Sequence, residues 1–200
     1  MRLKDKIAIV VGAGQSPGEG LGNGRATVLR FVQEGAKVLA VDNNVSSAQE
    51  TVALAQQAAG ECVAFEADVA VEATLVAMVE AARRRWGRVD VLHYNVGVSI
   101  AGGDAPLDEI TEDAFDRITT INLRGAIMAC KHVLPLMRAQ RAGVIITISS
   151  VAWFTPRSTE PRQSERSALL RQPDRRDVVI GQLIAARASV RSEIAFRSVR

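Results

Sequence analysis

The sequence is poor in cysteine and in aromatic residues. Its 200 residues include two cysteines, one tyrosine and 4% aromatic residues in total. Cys62 and Cys130 form no CxxC pair and stand in no His/Cys cluster, which argues against a disulfide framework and a metal site. The longest apolar runs, such as Ile7–Val11 and Val144–Ile148, are too short to span a bilayer. The charged N-terminus has no signal-peptide pattern, so we expect a cytoplasmic protein without a membrane partner.

Lysine and glycine are nearly absent from the last quarter of the chain. The last lysine is Lys131, and 14 of the 15 glycines precede residue 151. Residues 151–200 contain ten arginines and five acidic residues, whereas residues 1–150 carry a net charge of −2. The overall charge of +3 therefore comes from the arginine-rich end. This change in composition near residue 150 predicts a change in the character of the chain.

Strand and helix patterns alternate along the first 150 residues. Short β-branched runs predict strands at Lys6–Val11, Ala36–Val41, Cys62–Phe65, Val89–His93 and Val144–Ser149. Apolar residues at helical spacing predict helices at Arg25–Glu34, Ser46–Ala59, Val71–Trp86 and Thr111–Arg138, where Pro135 is expected to kink or end the last helix. Gly35 and Gly87 are predicted to end the first and third of these helices, and Thr111 is predicted as the N-cap of the last. This alternation predicts an α/β fold with a doubly wound parallel sheet. Ligands of such sheets bind beyond the carboxyl ends of the strands.

A glycine-rich loop from Gly12 to Gly24 follows the first predicted strand. Glycines are required where the backbone approaches a pyrophosphate closely or adopts a positive φ. The helix that follows would direct its positive N-terminal end at the phosphates. A glycine-rich turn alone is a weak signal, but its position between a strand and a helix favours nucleotide binding.

Acidic residues follow the second and third predicted strands. The Asp42 carboxylate is suited to the ribose diol of NAD and would repel the 2′-phosphate of NADP, whereas the structural alternative is a turn or helix-capping aspartate. Asp68 and Val69 could together recognise an adenine edge. The alternative for Asp68 is a cap for the helix that begins near residue 71.

Residues 6–150 resemble the short-chain dehydrogenase/reductase family. The GNGRA segment of Gly22–Ala26 looks like the end of the family's glycine motif, and Asn95–Gly97 resembles its Asn-(Ala/Val)-Gly turn. Asn122, in the segment INLRG, matches the family's active-site asparagine. The ITISS segment that ends at Ser150 resembles the strand that delivers the catalytic serine. These features occur in the family's order.

The resemblance implies a Rossmann-type sheet of about five strands in the order 3-2-1-4-5. It implies an NAD-binding domain at residues 1–155 and an atypical arginine-rich tail at 156–200, with the C-terminal part of the family fold missing or altered. The implied reaction is hydride transfer between a nicotinamide and an alcohol or ketone, with catalytic roles for Asn122 and Ser150. The residues implied for cofactor binding are Gly12, Gly14, Gly22, Gly24, Asp42, Asp68, Val69, Asn95 and Gly97.

Two features depart from the family pattern. The glycine loop is longer than usual, which indicates an insertion around Gln15–Gly20. More seriously, the family's Tyr-x-x-x-Lys pair is absent after Ser150, and the single tyrosine is Tyr94. Hydride transfer to a carbonyl needs a proton donor, and arginines in the tail would rarely supply one. We therefore expect impaired turnover.

His93 and His132 are the only histidines, and we interpret both as structural, with His93 buried at the end of a strand and His132 on the long helix. Cys130 is interpreted as a small core residue. Three interpretations of the tail remain open: a frameshift product, the end of an NAD-binding protein without catalysis, and a basic nucleic-acid arm. The arm lacks interleaved aromatics, so we expect no nucleic-acid partner. Members of the family form homo-oligomers through the helix that carries Asn122 and the helix that carries the tyrosine, and the altered second helix makes such assembly doubtful here.

Overall fold

A computed structural model describes residues 1–15, 20–57, 60–98, 102–103, 105 and 109–148. The predictions for Ser150 and for the tail therefore lie outside the described residues. Five strands and five α-helices follow one another along the described chain. The strands are β1 (Ile7–Val11), β2 (Lys37–Asp42), β3 (Cys62–Glu66), β4 (Val91–Tyr94) and β5 (Val144–Thr147). The helices are α1 (Asn23–Gln33), α2 (Val45–Gln56), α3 (Glu72–Trp86), α4 (Glu112–Thr119) and α5 (Gly125–Gln140).

The five strands form one parallel sheet in the order β3-β2-β1-β4-β5. The central strand β1 pairs with β2 through Ala8 and Val38 and with β4 through Ala8 and Val91. The change of direction in strand order lies between β1 and β4, where ligands of doubly wound sheets bind. The predicted fold class and strand order are confirmed.

The two faces of the sheet bury different sets of side chains. Ala8 and Val10 of β1 pack with Val28 and Val32 of α1 in one continuous apolar cluster. The alternate residues of β1 point to the opposite face, because successive side chains of a strand alternate. There α3 packs against β1 and β3, and Glu72 at the start of α3 accepts from Lys131 of α5. Helices therefore cover both faces of the sheet.

Glycines and capping side chains set several helix boundaries. Gly35 follows α1 with φ +89°, and Gly87 ends α3 in the left-handed region with φ +78°. Both stops are confirmed at positions where glycine is favoured. Thr111 is confirmed as the N-cap of α4, since its side chain accepts from the amide of Ala114. Asn44 caps α2 in the same way.

The predicted long helix contains a wider turn than the sequence pattern indicated. Thr120–Arg124 form a π-helical segment between α4 and α5, and the amide of Gly125 donates to the carbonyl of Thr120. Such segments are often found at functional sites. Pro135 neither ends the helix nor shortens it, because α5 continues to Gln140.

The chain divides into two compact units. The first comprises Met1–Val96 and Met128–Thr147 and holds the sheet; the second holds the described residues of Gly97–Ile127 together with Ile148. The predicted boundary between residues 155 and 156 lies outside the described residues and stays a prediction. Within the described part of the chain, no helix has the length and apolar character needed to cross a membrane.

His93 on β4 is a polar side chain in the core. It is 5% exposed, its Nδ1 atom has no hydrogen-bond partner within the described chain, and its ring meets Phe31 of α1 edge to face. Burial lowers the pKa of His93 below its usual 6.5, because the interior disfavours the charged imidazolium. The sequence-based interpretation placed His93 at the end of a buried strand, and its burial is confirmed.

We expect His93→Val to raise the free energy of unfolding by about 1 kcal/mol, because an unsatisfied buried polar group is costly. This increase in the free energy of unfolding should be larger at acid pH. The pKa of His93 is lower in the folded state, so the unfolded chain binds more protons below about pH 6.5 and wild-type stability falls there. Thermal unfolding of both proteins across this pH range tests this. A parallel pH dependence of the two proteins would contradict it.

Candidate functional site

The carboxyl ends of β1, β2 and β4 are held together by backbone hydrogen bonds. The amides of Gly12 and Ala13 both donate to the carbonyl of Val41, at 2.8 and 2.9 Å. The amide of Asn95 donates to the carbonyl of Val11 at 2.9 Å. The predicted residues Gly12, Asp42 and Asn95 therefore share one edge of the sheet, as the topology requires.

Gly12 and Gly24 make the closest approach in the glycine loop. Gly12 has φ +80°, and a Cβ atom there would lie 3.1 Å from Val96 Cγ2. A Cβ atom on Gly24 would overlap the carbonyl oxygen of Gly12. The side chain of Asn95 donates to that same carbonyl through Nδ2 at 3.2 Å. The first turn of α1 thus sits directly on the loop backbone, in a space that only glycine allows.

The Asp42 carboxylate is bound to the glycine loop. Its Oδ2 atom accepts from the amide of Gly14 at 2.8 Å, and its Oδ1 atom accepts from the amide of Asn44 at 3.0 Å. A Cβ on Gly14 would lie 2.8 Å from Oδ2, so glycine is required for this contact. The N-cap of α2 is Asn44, not Asp42. The Asp42 carboxylate therefore stabilises the loop conformation, whether or not it also binds a ligand.

The backbone amides at the start of the loop, residues 12–15, already donate hydrogen bonds within the protein. The amides of Gly12, Ala13 and Gly14 donate to protein acceptors, and that of Gln15 donates to Ser47 Oγ at 2.7 Å. The first-turn amides of an α-helix have no acceptor within their helix. Among the described residues of the loop, the start of α1, after its N-cap Gly22, is therefore the part with donors suited to an anion. Gly12 and Gly14 contribute through their small size.

A buried arginine, which the sequence did not indicate, links this loop to α2. Arg25 is 9% exposed and donates to Thr51 Oγ1 at 2.9 Å and to the Ser47 carbonyl at 3.3 Å. The Thr51 hydroxyl lies 2.9 Å from the carbonyl of Ala13 and 3.2 Å from that of Ser47, its two possible acceptors. The arginine also pairs with the exposed Glu50 at 2.9 Å. The only signal in the sequence was the proximity of Arg25 to the glycine motif.

Asp68 and Val69 follow β3 at the same edge. The amide of Ala67 donates to the carbonyl of Asp42 at 3.1 Å, which brings the two strand ends together. Asp68 is exposed and accepts from the amide of Ala70 through Oδ1 at 2.9 Å, whereas Val69 is buried. The N-cap of α3 is Val71, so Asp68 shapes the preceding turn and is not the helix cap. Its role in adenine recognition stays a prediction.

In the second unit, Asn122 makes a two-point contact with the backbone of Val98. Its Oδ1 atom accepts from the Val98 amide and its Nδ2 atom donates to the Val98 carbonyl, both at 2.8 Å. Asn122 belongs to the π-helical segment, and Gly97 directly precedes Val98. The predicted residues Asn122 and Gly97 are therefore close in this unit. Ser150 lies outside the described residues.

The single tyrosine and both cysteines are buried. Tyr94 is 1% exposed, and burial raises its pKa well above the usual value of 10. Burial also raises the pKa of Cys130 to about 11 and that of Cys62 to about 12. Cys130 is confirmed as a core residue. None of these groups is tuned to exchange a proton near neutral pH.

Two curated proteins illustrate the relationship of the chain to known proteins. It is 34% identical over 152 residues to levodione reductase of Leifsonia aquatica, a match that covers 75% of the chain and 54% of that protein. It is 35% identical over 148 residues to 2-(R)-hydroxypropyl-CoM dehydrogenase of Xanthobacter autotrophicus, covering 74% and 57%. The chain spans about half the length of the curated relatives it matches.

The fold likewise matches solved structures. The crystal structure of NAD⁺-bound xylitol dehydrogenase superimposes with a TM-score of 0.72 at 28% identity, covering 84% of this chain and 60% of that one. The family model described as short chain dehydrogenase matches residues 6–161. This match includes the parallel sheet, the glycine loop and the helix of Asn122, and it shows that the chain belongs to the short-chain dehydrogenase family.

Proposed function

We propose that the chain binds NAD at the edge formed by the glycine loop, Asp42 and Asn95. Gly22 and Gly24 would face the pyrophosphate, Asp42 the adenosine ribose, and Asp68 and Val69 the adenine. Gly12, Gly14, Asn95 and Gly97 would shape the loop and turn next to the cofactor. The proposed reaction class is hydride transfer between the nicotinamide and an alcohol or carbonyl carbon. Turnover by this chain is impaired.

The observation that supports the cofactor site is the contact between the Gly14 amide and the Asp42 carboxylate at 2.8 Å. It ties the acidic end of β2 to a loop whose packing at Gly24 leaves no room for a side chain. A dinucleotide needs both a close backbone approach and an acceptor for its ribose hydroxyls. The residues present therefore fit the cofactor, which supplies the hydride chemistry when it is bound.

Asp42 is also the basis for proposing NAD over NADP. A carboxylate next to the ribose would accept hydrogen bonds from the 2′- and 3′-hydroxyls and repel a 2′-phosphate. Each of its oxygens accepts one amide, from Gly14 or from Asn44, and a carboxylate oxygen has capacity for a further bond. The same side chain can thus serve the loop and the ribose together.

We expect Asp42→Ser to weaken NAD binding at least tenfold, or about 1.4 kcal/mol. The substitution removes the ribose acceptor and also releases the Gly14 amide. For that second reason, NADP should not bind the variant as tightly as NAD binds the wild type. Calorimetric titration of wild type and variant with both dinucleotides measures this.

Glu66→Ser is the matched control for Asp42→Ser. Glu66 is the exposed neighbour that pairs with Asp42 in the parallel register, so its removal makes the same change in charge nearby. We expect the control to bind NAD like the wild type. Wild-type affinity in Asp42→Ser would contradict the proposed ribose site, and no NAD binding by the wild type would contradict the cofactor proposal itself.

The second candidate function is dinucleotide binding without redox turnover. It is favoured by the burial of Tyr94, which is the only tyrosine of the sequence. The substrate class of the first candidate is a small alcohol or ketone, in line with relatives named as a reductase and a dehydrogenase. The cytoplasmic location, the absence of a nucleic-acid partner and the doubtful homo-oligomer stay predictions from the sequence.

A further inference from the structure

The side chain of Gln15 joins the two ends of the extended glycine loop. Its Oε1 atom accepts from the amide of Gly22 at 2.7 Å, and its Nε2 atom donates to the carbonyl of Gly20 at 3.2 Å. Both ends of the side-chain amide therefore hold the backbone on the far side of residues 16–19. This two-point contact, here called the Gln15 clasp, has the donor and acceptor pattern of a backbone pair.

The backbone of Gln15 is itself fixed to the first turn of α2. Its amide donates to Ser47 Oγ at 2.7 Å, and Ser47 is 8% exposed. Ser47 is held in turn by the Asn44 side chain, which accepts from its amide, and by Arg25, which donates to its carbonyl. The clasp thus connects Gly20 and Gly22, in a glycine-rich segment whose ordering costs much chain entropy, to a buried and hydrogen-bonded base.

Gly22 is the N-cap of α1 and has no side chain to direct the entry of the chain into the helix. In most helices a polar N-cap side chain does this and also satisfies a first-turn amide. Here the Gln15 clasp sets the position of Gly22 from outside the helix, so the first-turn amides of α1 stay available for an anion. A neutral amide suits this place, since a carboxylate there would compete with a pyrophosphate for the same amides.

We propose that Gln15 is a positioning residue that holds the start of α1 in place for the pyrophosphate of the dinucleotide and compensates for the lengthened loop. This inference rests on the proposed NAD binding. It assigns a function to a residue that lies between the motif glycines and contacts Gly20, Gly22 and Ser47. Residues 16–19 are then dispensable for cofactor binding, because the clasp spans them.

The test compares Gln15→Met with wild type in two backgrounds, the full chain and a variant that lacks residues 16–19. In the full chain, loss of both hydrogen bonds should raise the calorimetric Kd for NAD roughly tenfold. In the shortened loop the peptide chain itself brings the ends together, so the same substitution should change the Kd less than about twofold. This coupling between Gln15 and the loop length is a readout that a general loss of stability would not produce.

Two further variants complete the design. Gln33→Met changes an exposed glutamine at the end of α1 and should leave the Kd for NAD at its wild-type value. Gln15→Glu keeps an acceptor for the Gly22 amide but loses the donor to Gly20 and adds negative charge. It should therefore raise the Kd for NAD at least as much as Gln15→Met does. Because the clasp is largely at the surface, all variants should unfold within a few degrees of wild type in the absence of NAD.

The outcomes separate the two proposals. If the wild type binds no NAD, the proposed function fails and the role of Gln15 in cofactor binding fails with it. If the wild type binds NAD and Gln15→Met binds it equally well, only the positioning role is overturned. An equal loss from Gln15→Met in both loop lengths would also overturn that role, because it would show that the clasp does not compensate for residues 16–19.

Discussion

Gly24→Ala is expected to lower the free energy of unfolding by about 3 kcal/mol and to weaken NAD binding more than tenfold. In most helices the same substitution stabilises, because alanine has the higher helix propensity. Here the new Cβ atom would overlap the carbonyl oxygen of Gly12 and come within 2.9 Å of Asn95 Nδ2. Both contacts are with groups held by the sheet edge, so α1 itself must move away from the loop.

The measurement is chemical denaturation of wild type and variant, followed by calorimetric titration with NAD. Gly22→Ala is the matched control for stability. Gly22 has φ −62°, and its nearest neighbour would be the flexible Gln15 side chain at 3.2 Å, so we expect a loss below about 1 kcal/mol. Equal stability of Gly24→Ala and wild type would show that the packing of α1 on Gly12 is not essential.

The sequence was sufficient for the parts of the fold that depend on local patterns. β1 reads as a continuous apolar run because both of its faces are covered, and all five residues of Ile7–Val11 are buried. Gly35 and Gly87 predicted helix ends because each has a positive φ that other residues rarely adopt. The strand order came from the family resemblance, since alternation alone does not fix the order.

The contacts of the site could not be predicted in the same way. Asp42 and Gly14 are 28 residues apart, and their hydrogen bond depends on the loop conformation. The Gln15 clasp was likewise hidden, because the sequence showed an insertion without showing what closes it. The π-helical segment at Asn122 was not predicted, because one added residue in a turn barely alters the apolar spacing of a long helix.

Buried polar residues were the other class that the sequence did not reveal. Arg25 follows the last motif glycine and would ordinarily be placed on the exposed face of a helix. Its burial depends on partners from α2, namely Thr51 and the carbonyl of Ser47. Such partners become visible only when two elements are packed together, since neither helix contains the complete hydrogen-bond set.

Within the described part of the chain, the proposed chemistry finds no suitably placed proton donor. Reduction of a ketone by hydride leaves an alkoxide, which needs a proton from a group of suitable pKa. Tyr94 is fully buried in β4 and its pKa is raised by that burial. His93 lies in the core, and His132 is bound to Glu72 at 2.8 Å, in a contact between α5 and α3. No described residue therefore combines exposure at the cofactor edge with proton transfer near neutral pH.

We expect the chain to bind NADH yet reduce ketones at least about a hundredfold more slowly than a family member that has the Tyr-x-x-x-Lys pair. The factor follows from the usual contribution of general acid–base catalysis, about 10² to 10⁴ in rate. NADH binding is measured by calorimetry, and turnover by the loss of NADH absorbance across a panel of ketones, with the reverse reaction tested on alcohols. Binding without turnover would support the second candidate function.

Two variants test whether Ser150 or Tyr94 contributes to any residual rate. Ser150→Ala removes the hydroxyl that the family resemblance implies for catalysis. We expect it to change the slow rate little, because groups that act as a unit contribute little when one of them is absent. Tyr94→Phe should also leave it unchanged, since the buried phenol takes no part. Robust turnover that Ser150→Ala abolishes would overturn the prediction and show that another group supplies the proton. A loss caused by Tyr94→Phe alone would identify the single tyrosine as that group, against its burial in the sheet.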